Sequence, residues 1–78
     1  MLLEIITPDT TLYSGEVQLV QLPGIDGSFE ILNHHAPLIS VLKKGKVKVT
    51  EASKNTLFFD VKSGVVEVLK NKILILAE

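Results

Sequence analysis

Gly45-Lys46-Val47-Lys48-Val49-Thr50-Glu51 alternates apolar and polar residues with a period of two. Successive side chains of an extended strand point to opposite faces, so this pattern sends Val47 and Val49 to a core and Lys46, Lys48 and Thr50 to water. The same period runs through Leu57-Phe58-Phe59-Asp60-Val61-Lys62, with Leu57, Phe59 and Val61 inward, and through Val66-Glu67-Val68. Further out, residues 2–7, 16–22, 28–32, 38–42 and 72–77 are rich in Val, Ile, Leu and Thr and read as additional strands. Between them lie turn residues. Pro8 in Thr7-Pro8-Asp9 lacks the donor a ladder needs. Tyr13-Ser14-Gly15, Pro23-Gly24-Ile25-Asp26-Gly27, Lys43-Lys44-Gly45, Ala52-Ser53-Lys54-Asn55 and Lys70-Asn71 read as the other turns, and Gly15, Gly24, Gly27 and Gly64 as structural turn glycines. No segment reads as a helix: residues 38–44 have room for one turn at most between Pro37 and Gly45. Short strands at regular spacing predict an antiparallel sandwich or barrel.

A chain of 78 residues holds one domain. A domain of this size buries only about 60% of its unfolded surface, so its core is thin. With no cysteine, neither disulfides nor a cysteine-based zinc site reinforces it. Hydrophobic residues at 46% against 22% charged favour a packed domain over disorder, with apolar surface left for a partner. The net charge is −1 and all eight basic residues are lysine. A nucleic-acid reader needs a positive balance and arginine forks, and here only Tyr13, Phe29, Phe58 and Phe59 could stack on bases. No run approaches the ~20 apolar residues of a membrane span. The early apolar stretch is interrupted by Glu4 and lacks a basic leader, which argues against a signal peptide and for a cytoplasmic product.

Reactive constellations are sparse. His34 and His35 are adjacent, and on a strand they would face opposite ways, so a shared metal is not expected. The serines show no nucleophile-elbow pattern. Gly24-Ile25-Asp26-Gly27 lacks the Gly-Lys-Ser/Thr ending of a phosphate loop and is followed by a strand, so it reads as a tight turn whose glycines supply positive φ. Lys43, Lys44, Lys46 and Lys48 read as a solvated hairpin face whose lysines discourage edge pairing. One lysine at a hairpin tip, Lys54, invites comparison with a lipoyl- or biotinyl-type swinging-arm carrier, but the Met or Asp-Lys-Ala context of such lysines is missing.

The stretch Gly24-Ile25-Asp26-Gly27-Ser28-Phe29-Glu30-Ile31-Leu32-Asn33-His34-His35-Ala36-Pro37-Leu38 resembles the signature loop of the epsilon subunit of rotary F-type ATP synthases: a paired-glycine turn, a short apolar strand, then His-Ala-Pro-Leu. Residues 3–20, with Tyr13-Ser14-Gly15, are similar to that family's opening strands. Ser63-Gly64-Val65-Val66-Glu67-Val68 and Asn71-Lys72-Ile73-Leu74-Ile75-Leu76-Ala77-Glu78 resemble its Gly-Gly-x-x-Glu-Val motif and closing strand. Two positions depart from the pattern. Asn33-His34 stands where Pro followed by Gly or Asn is usual, and Ser63 where the first of two glycines is usual. Asn and His tolerate unusual backbone angles better than most residues.

The resemblance implies an all-β fold, a flattened antiparallel β-sandwich of roughly eight to ten short strands, as one domain over residues 1–78. The helical hairpin that follows in relatives is then absent. It implies a non-catalytic rotor subunit that fastens the gamma shaft to the membrane c-ring, with no cofactor, metal, nucleotide site or direct membrane insertion. The implied location is the cytoplasmic face of a bacterial inner membrane. By this resemblance Thr7, His35, Ala36, Pro37 and Leu38 face gamma, and Asp26, Gly27, Ser28 and Phe29 form the loop facing the ring. Phe29 is open between two roles, packing into the core and anchoring an interface.

Overall fold

Each alternating or β-branched run becomes a strand in the computed structural model, which describes residues 1–78. There are eight strands and no helix: β1 (Leu2–Ile6), β2 (Thr11–Gly24), β3 (Gly27–Leu32), β4 (Leu38–Leu42), β5 (Gly45–Glu51), β6 (Thr56–Val61), β7 (Gly64–Leu69) and β8 (Lys72–Ala77). One layer is β3-β2-β5-β6; the other is β2-β1-β8-β7-β4. The long β2 belongs to both. Its first part pairs with β1, its second part pairs with β5 and β3, and Gly24 at its end meets Leu42 of β4. All pairings are antiparallel except β1 with β8, which run parallel in the register Leu3↔Ile73 and Ile5↔Ile75.

The alternation read from sequence sets the core. Val47, Val49 and Val61 are buried, with Leu57 and Phe59 packed at the margin. Leu3, Ile5, Val66, Val68, Ile73 and Ile75 face them from the other layer, and no polar side chain is buried. Fully burying one such aliphatic side chain stabilises by about 1.5–3 kcal/mol.

Three turn readings need correction. Tyr13-Ser14-Gly15 lies inside β2, with Tyr13 opposite Ile5 and Gly15 opposite Leu3. Gly15 is there for space: a Cβ would lie 2.9 Å from the Tyr13 hydroxyl oxygen. Tyr13 in turn stacks at a tilt on Phe59, with centroids 5.7 Å apart, and donates a 2.7 Å hydrogen bond to Glu51. Gly24 closes β2 without positive φ. A Cβ there would meet the Gly27 carbonyl oxygen at 2.6 Å and the Phe29 ring at 2.7 Å. Gly64 opens β7, also without positive φ, and a Cβ would meet the Leu76 carbonyl oxygen at 2.7 Å. Among the glycines only Gly27 takes positive φ, at 130°. Ser63, in the position of an expected glycine, has no positive φ, so glycine's freedom is not needed there.

Candidate functional site: an apolar sheet face and its two flanking loops

Strand pairing sets four side chains in a row on the outside of the β4-β7-β8-β1 layer. Val41 lies opposite Val65, Val65 opposite Leu76, and Leu76 opposite Ile6. Because their neighbours Leu42, Val66, Ile75 and Ile5 fill the core, these four must point outward. Val41 is 50% exposed, Val65 40% and Leu76 52%, and Ile39 on the same face reaches 72%. The next row is Ile39, Glu67, Leu74 and Glu4. Glu4 is neutralised by Lys72 at 2.9 Å, which leaves Glu67 as the unpaired charge of the two rows. The outer side of the other layer is different: Gln21, Lys48 and Phe58 share one row, and Lys46 and Asp60 form an exposed 3.3 Å pair. That outer face exposes apolar side chains too, Phe58 at 59% beside Lys48 and Leu32 at 54% beside Glu30. Scattered exposed apolar residues are ordinary, whereas the contiguous row Val41, Val65, Leu76 and Ile6 marks a docking side.

The segments singled out by sequence border this face. Thr7 follows β1 and, with Pro8, walls a groove of about 610 Å³ floored by Val41, Val65 and Leu76. Pro37 and Leu38 sit at the opposite end, where they line a second groove of about 410 Å³ with Ile39 and Leu69. Thr7 and the His35–Leu38 segment therefore lie at opposite ends of the layer and do not touch; what joins them is the row between. The His35 ring nitrogen Nδ1 is 2.7 Å from the Ala36 carbonyl oxygen, and the His35 N–H donates to the Leu32 carbonyl at 3.2 Å. His34 adopts φ 63°, the conformation that glycine or asparagine would supply in the usual pattern. The Asn33 side chain also has a role, since its Oδ1 accepts a 2.8 Å hydrogen bond from the Met1 amino group.

The β2–β3 hairpin tip abuts the same face through its edge strand. The Ile25 N–H donates to the Val41 carbonyl at 3.2 Å, and Asp26, Gly27 and Phe29 share a groove of about 340 Å³ with Ile39 and Val41. Phe29 packs at the margin of the core against Gly24, so its ring is not the apolar group at the tip. That group is Ile25, 56% exposed, which sequence reasoning passed over. Ser28 is exposed and its hydroxyl is 3.1 Å from the Gln21 amide. No three His, Cys, Asp or Glu side chains cluster as metal ligands. Lys54, at the β5–β6 turn, takes φ 76°.

The family described as "ATP synthase, Delta/Epsilon chain, beta-sandwich domain" matches residues 1–78. The chain belongs to this family. It is 43% identical over 76 residues to the ATP synthase epsilon chain of Chlorobium limicola, covering 97% of this chain and 86% of that one. A chain of the Euglena gracilis mitochondrial ATP synthase, from an OSCP/F1/c-ring structure, superposes with a TM-score of 0.87 at 15% identity, over 96% of this chain and 48% of that one. A Tetrahymena thermophila central stalk/c-ring structure gives 0.81 at 21% identity, over 99% of this chain and 62% of that one. At these identities the two structures speak to the fold. Membership in an epsilon-type family leaves the swinging-arm reading of Lys54 without support.

Proposed function

We propose that this chain is the epsilon-type subunit of an F-type ATP synthase, a non-catalytic part of the central stalk that fastens the gamma shaft to the c-ring. The family match over residues 1–78 carries the subunit reading, and the exposed row Val41, Val65, Leu76 and Ile6 is what supports a docking side on it. Coupling a shaft to a ring requires a stiff body with two contact regions, and no reactive side chain. A sandwich whose strands close around β2 supplies the stiffness. The outer β4-β7-β8-β1 face, with Thr7 at one end and His35, Ala36, Pro37 and Leu38 at the other, is the gamma side. The tip formed by Ile25, Asp26, Gly27 and Ser28 is the ring side, with Phe29 bracing it from within. The chain then works on the cytoplasmic side of a bacterial inner membrane.

Binding to the gamma subunit of the same enzyme tests this. Leu76→Lys puts a charge in the centre of the row, and desolvating it lowers affinity for gamma by tenfold or more, on the order of 1.4 kcal/mol. Phe58→Lys, an equally apolar-to-charged change on the opposite outer face, leaves affinity unchanged. Equal effects of the two variants, or none from Leu76→Lys, would remove the assigned side.

A further inference from the structure

We infer that Asn71 is a positioning residue that holds the His34–Pro37 loop in its partner-ready shape, an inference that rests on the reading of His35–Leu38 as gamma-facing. Asn71 is 37 residues from His34 in sequence, yet its Oδ1 accepts the His34 N–H at 2.7 Å. The same residue is half of the β7–β8 turn. Leu69 pairs with Lys72, and the two residues between, Lys70 and Asn71, take φ 51° and 59°, the signature of a type I′ turn. The Asn71 carbonyl accepts the Leu2 N–H at 3.2 Å. One residue thus joins the β7–β8 turn, the start of β1 and the β3–β4 loop.

One other side-chain tie reaches this turn from outside, the 2.8 Å hydrogen bond from the Met1 amino group to Asn33 Oδ1, and it holds the residue before His34 rather than the His34–Pro37 backbone. The His35 N–H turns back to Leu32, and the His35 ring to Ala36, both within the same segment. A loop that must be ordered on binding loses affinity to that ordering; one ordered beforehand does not. The chemistry restricts the residue to few types. It must tolerate the left-handed conformation and present an acceptor on a short side chain, which leaves Asn and Asp.

Two substitutions separate the turn from the tie. Asn71→Gly keeps the left-handed turn, which glycine favours, and keeps the carbonyl to Leu2, but removes Oδ1. Asn71→Asp keeps both the conformation and the acceptor. In the 78-residue chain, Asn71→Gly is expected to melt near wild type, to lose hydrogen-exchange protection at the His34 amide, and to bind gamma about tenfold more weakly. Asn71→Asp restores protection and binding to within about twofold. His35→Asp is measured beside them. If His35→Asp weakens binding and Asn71→Gly does not, the positioning role is wrong and the gamma-facing loop stands. If neither weakens binding, the gamma-facing loop itself is wrong and the positioning role goes with it. Failure of Asn71→Asp to rescue a weakened Asn71→Gly would also overturn the role, because the acceptor would not be what matters.

Discussion

His34 is held in a backbone conformation that its side chain opposes. Its φ of 63° crowds Cβ against the following carbonyl, at a cost of about 1–2 kcal/mol for an L-residue. The exposed ring makes no hydrogen bond that would offset this, whereas the backbone N–H is well used by Asn71. His34→Gly should therefore stabilise the domain by about 0.5–1 kcal/mol, the relief of strain less the added freedom of the unfolded chain, read as a higher urea midpoint at unchanged slope. A lower midpoint would mean that the imidazole has a packing role. Sequence indicated that Asn33-His34 departs from a glycine-bearing turn and that these residue types tolerate one. It could not indicate the partner, because Asn71 reaches His34 only after β7 and β8 have folded back beside β1.

Strand β2 shows what alternation reveals and what it hides. Its middle read as a strand from its Val and Leu content, but the irregularity between Val17 and Leu19 breaks the period of two, so Val17, Val20 and Leu22 are buried while Leu19 is only half-buried. Its ends did not read as strand. Ser14-Gly15 looks like turn punctuation, and only the Tyr13 ring above it explains the missing side chain. The β7–β8 pair was hidden differently: Lys72-Ile73-Leu74-Ile75-Leu76-Ala77 is apolar on both faces, so pairing rather than composition decides that Ile73 and Ile75 are buried and Leu76 is not. Tyr13 fastens the opening part of β2 to the end of β5 through Glu51 and to the middle of β6 through Phe59. Burial of its phenol, the hydrogen bond to Glu51 and the nearby carboxylate charge together push its pKa up to about 12. Folding thus favours the protonated phenol over the ordinary tyrosine near 10. The resulting stability is complete below pH 10 and disappears as pH rises through 12. Chemical denaturation between these limits should show wild type losing stability faster with pH than Tyr13→Phe. Parallel curves would remove Glu51 and burial as the cause. At neutral pH, Tyr13→Phe costs about 1 kcal/mol, the net worth of one hydrogen bond.

The whole molecule is joined by strands from opposite ends of the sequence, since β1 lies between β2 and β8. The β2-β1-β8-β7-β4 layer is incomplete until β8 docks, and β2 is shared with the other layer, so the two layers are expected to unfold together as one cooperative unit, the behaviour a torque-bearing coupling needs. Domains of this size are stabilised by about 0.05–0.15 kcal/mol per residue, and such non-local β topologies refold in milliseconds to seconds. Two adjacent residues of β8 then have opposite tasks. Ile75 is fully buried between Ile5 and Val66, and Ile75→Ala should cost about 2–4 kcal/mol, a large share of the total, through a cavity in the thin core. Leu76 faces outward, and Leu76→Lys should shift stability by less than about 1 kcal/mol. Urea unfolding of both variants, followed by far-ultraviolet circular dichroism and by Tyr13 fluorescence, measures this directly. Coincident transitions with only Ile75→Ala displaced would show that the outward row contributes little to the fold. An equal loss from Leu76→Lys would mean that its side chain serves the fold, and the weakened gamma binding expected of that variant would then be a consequence of unfolding.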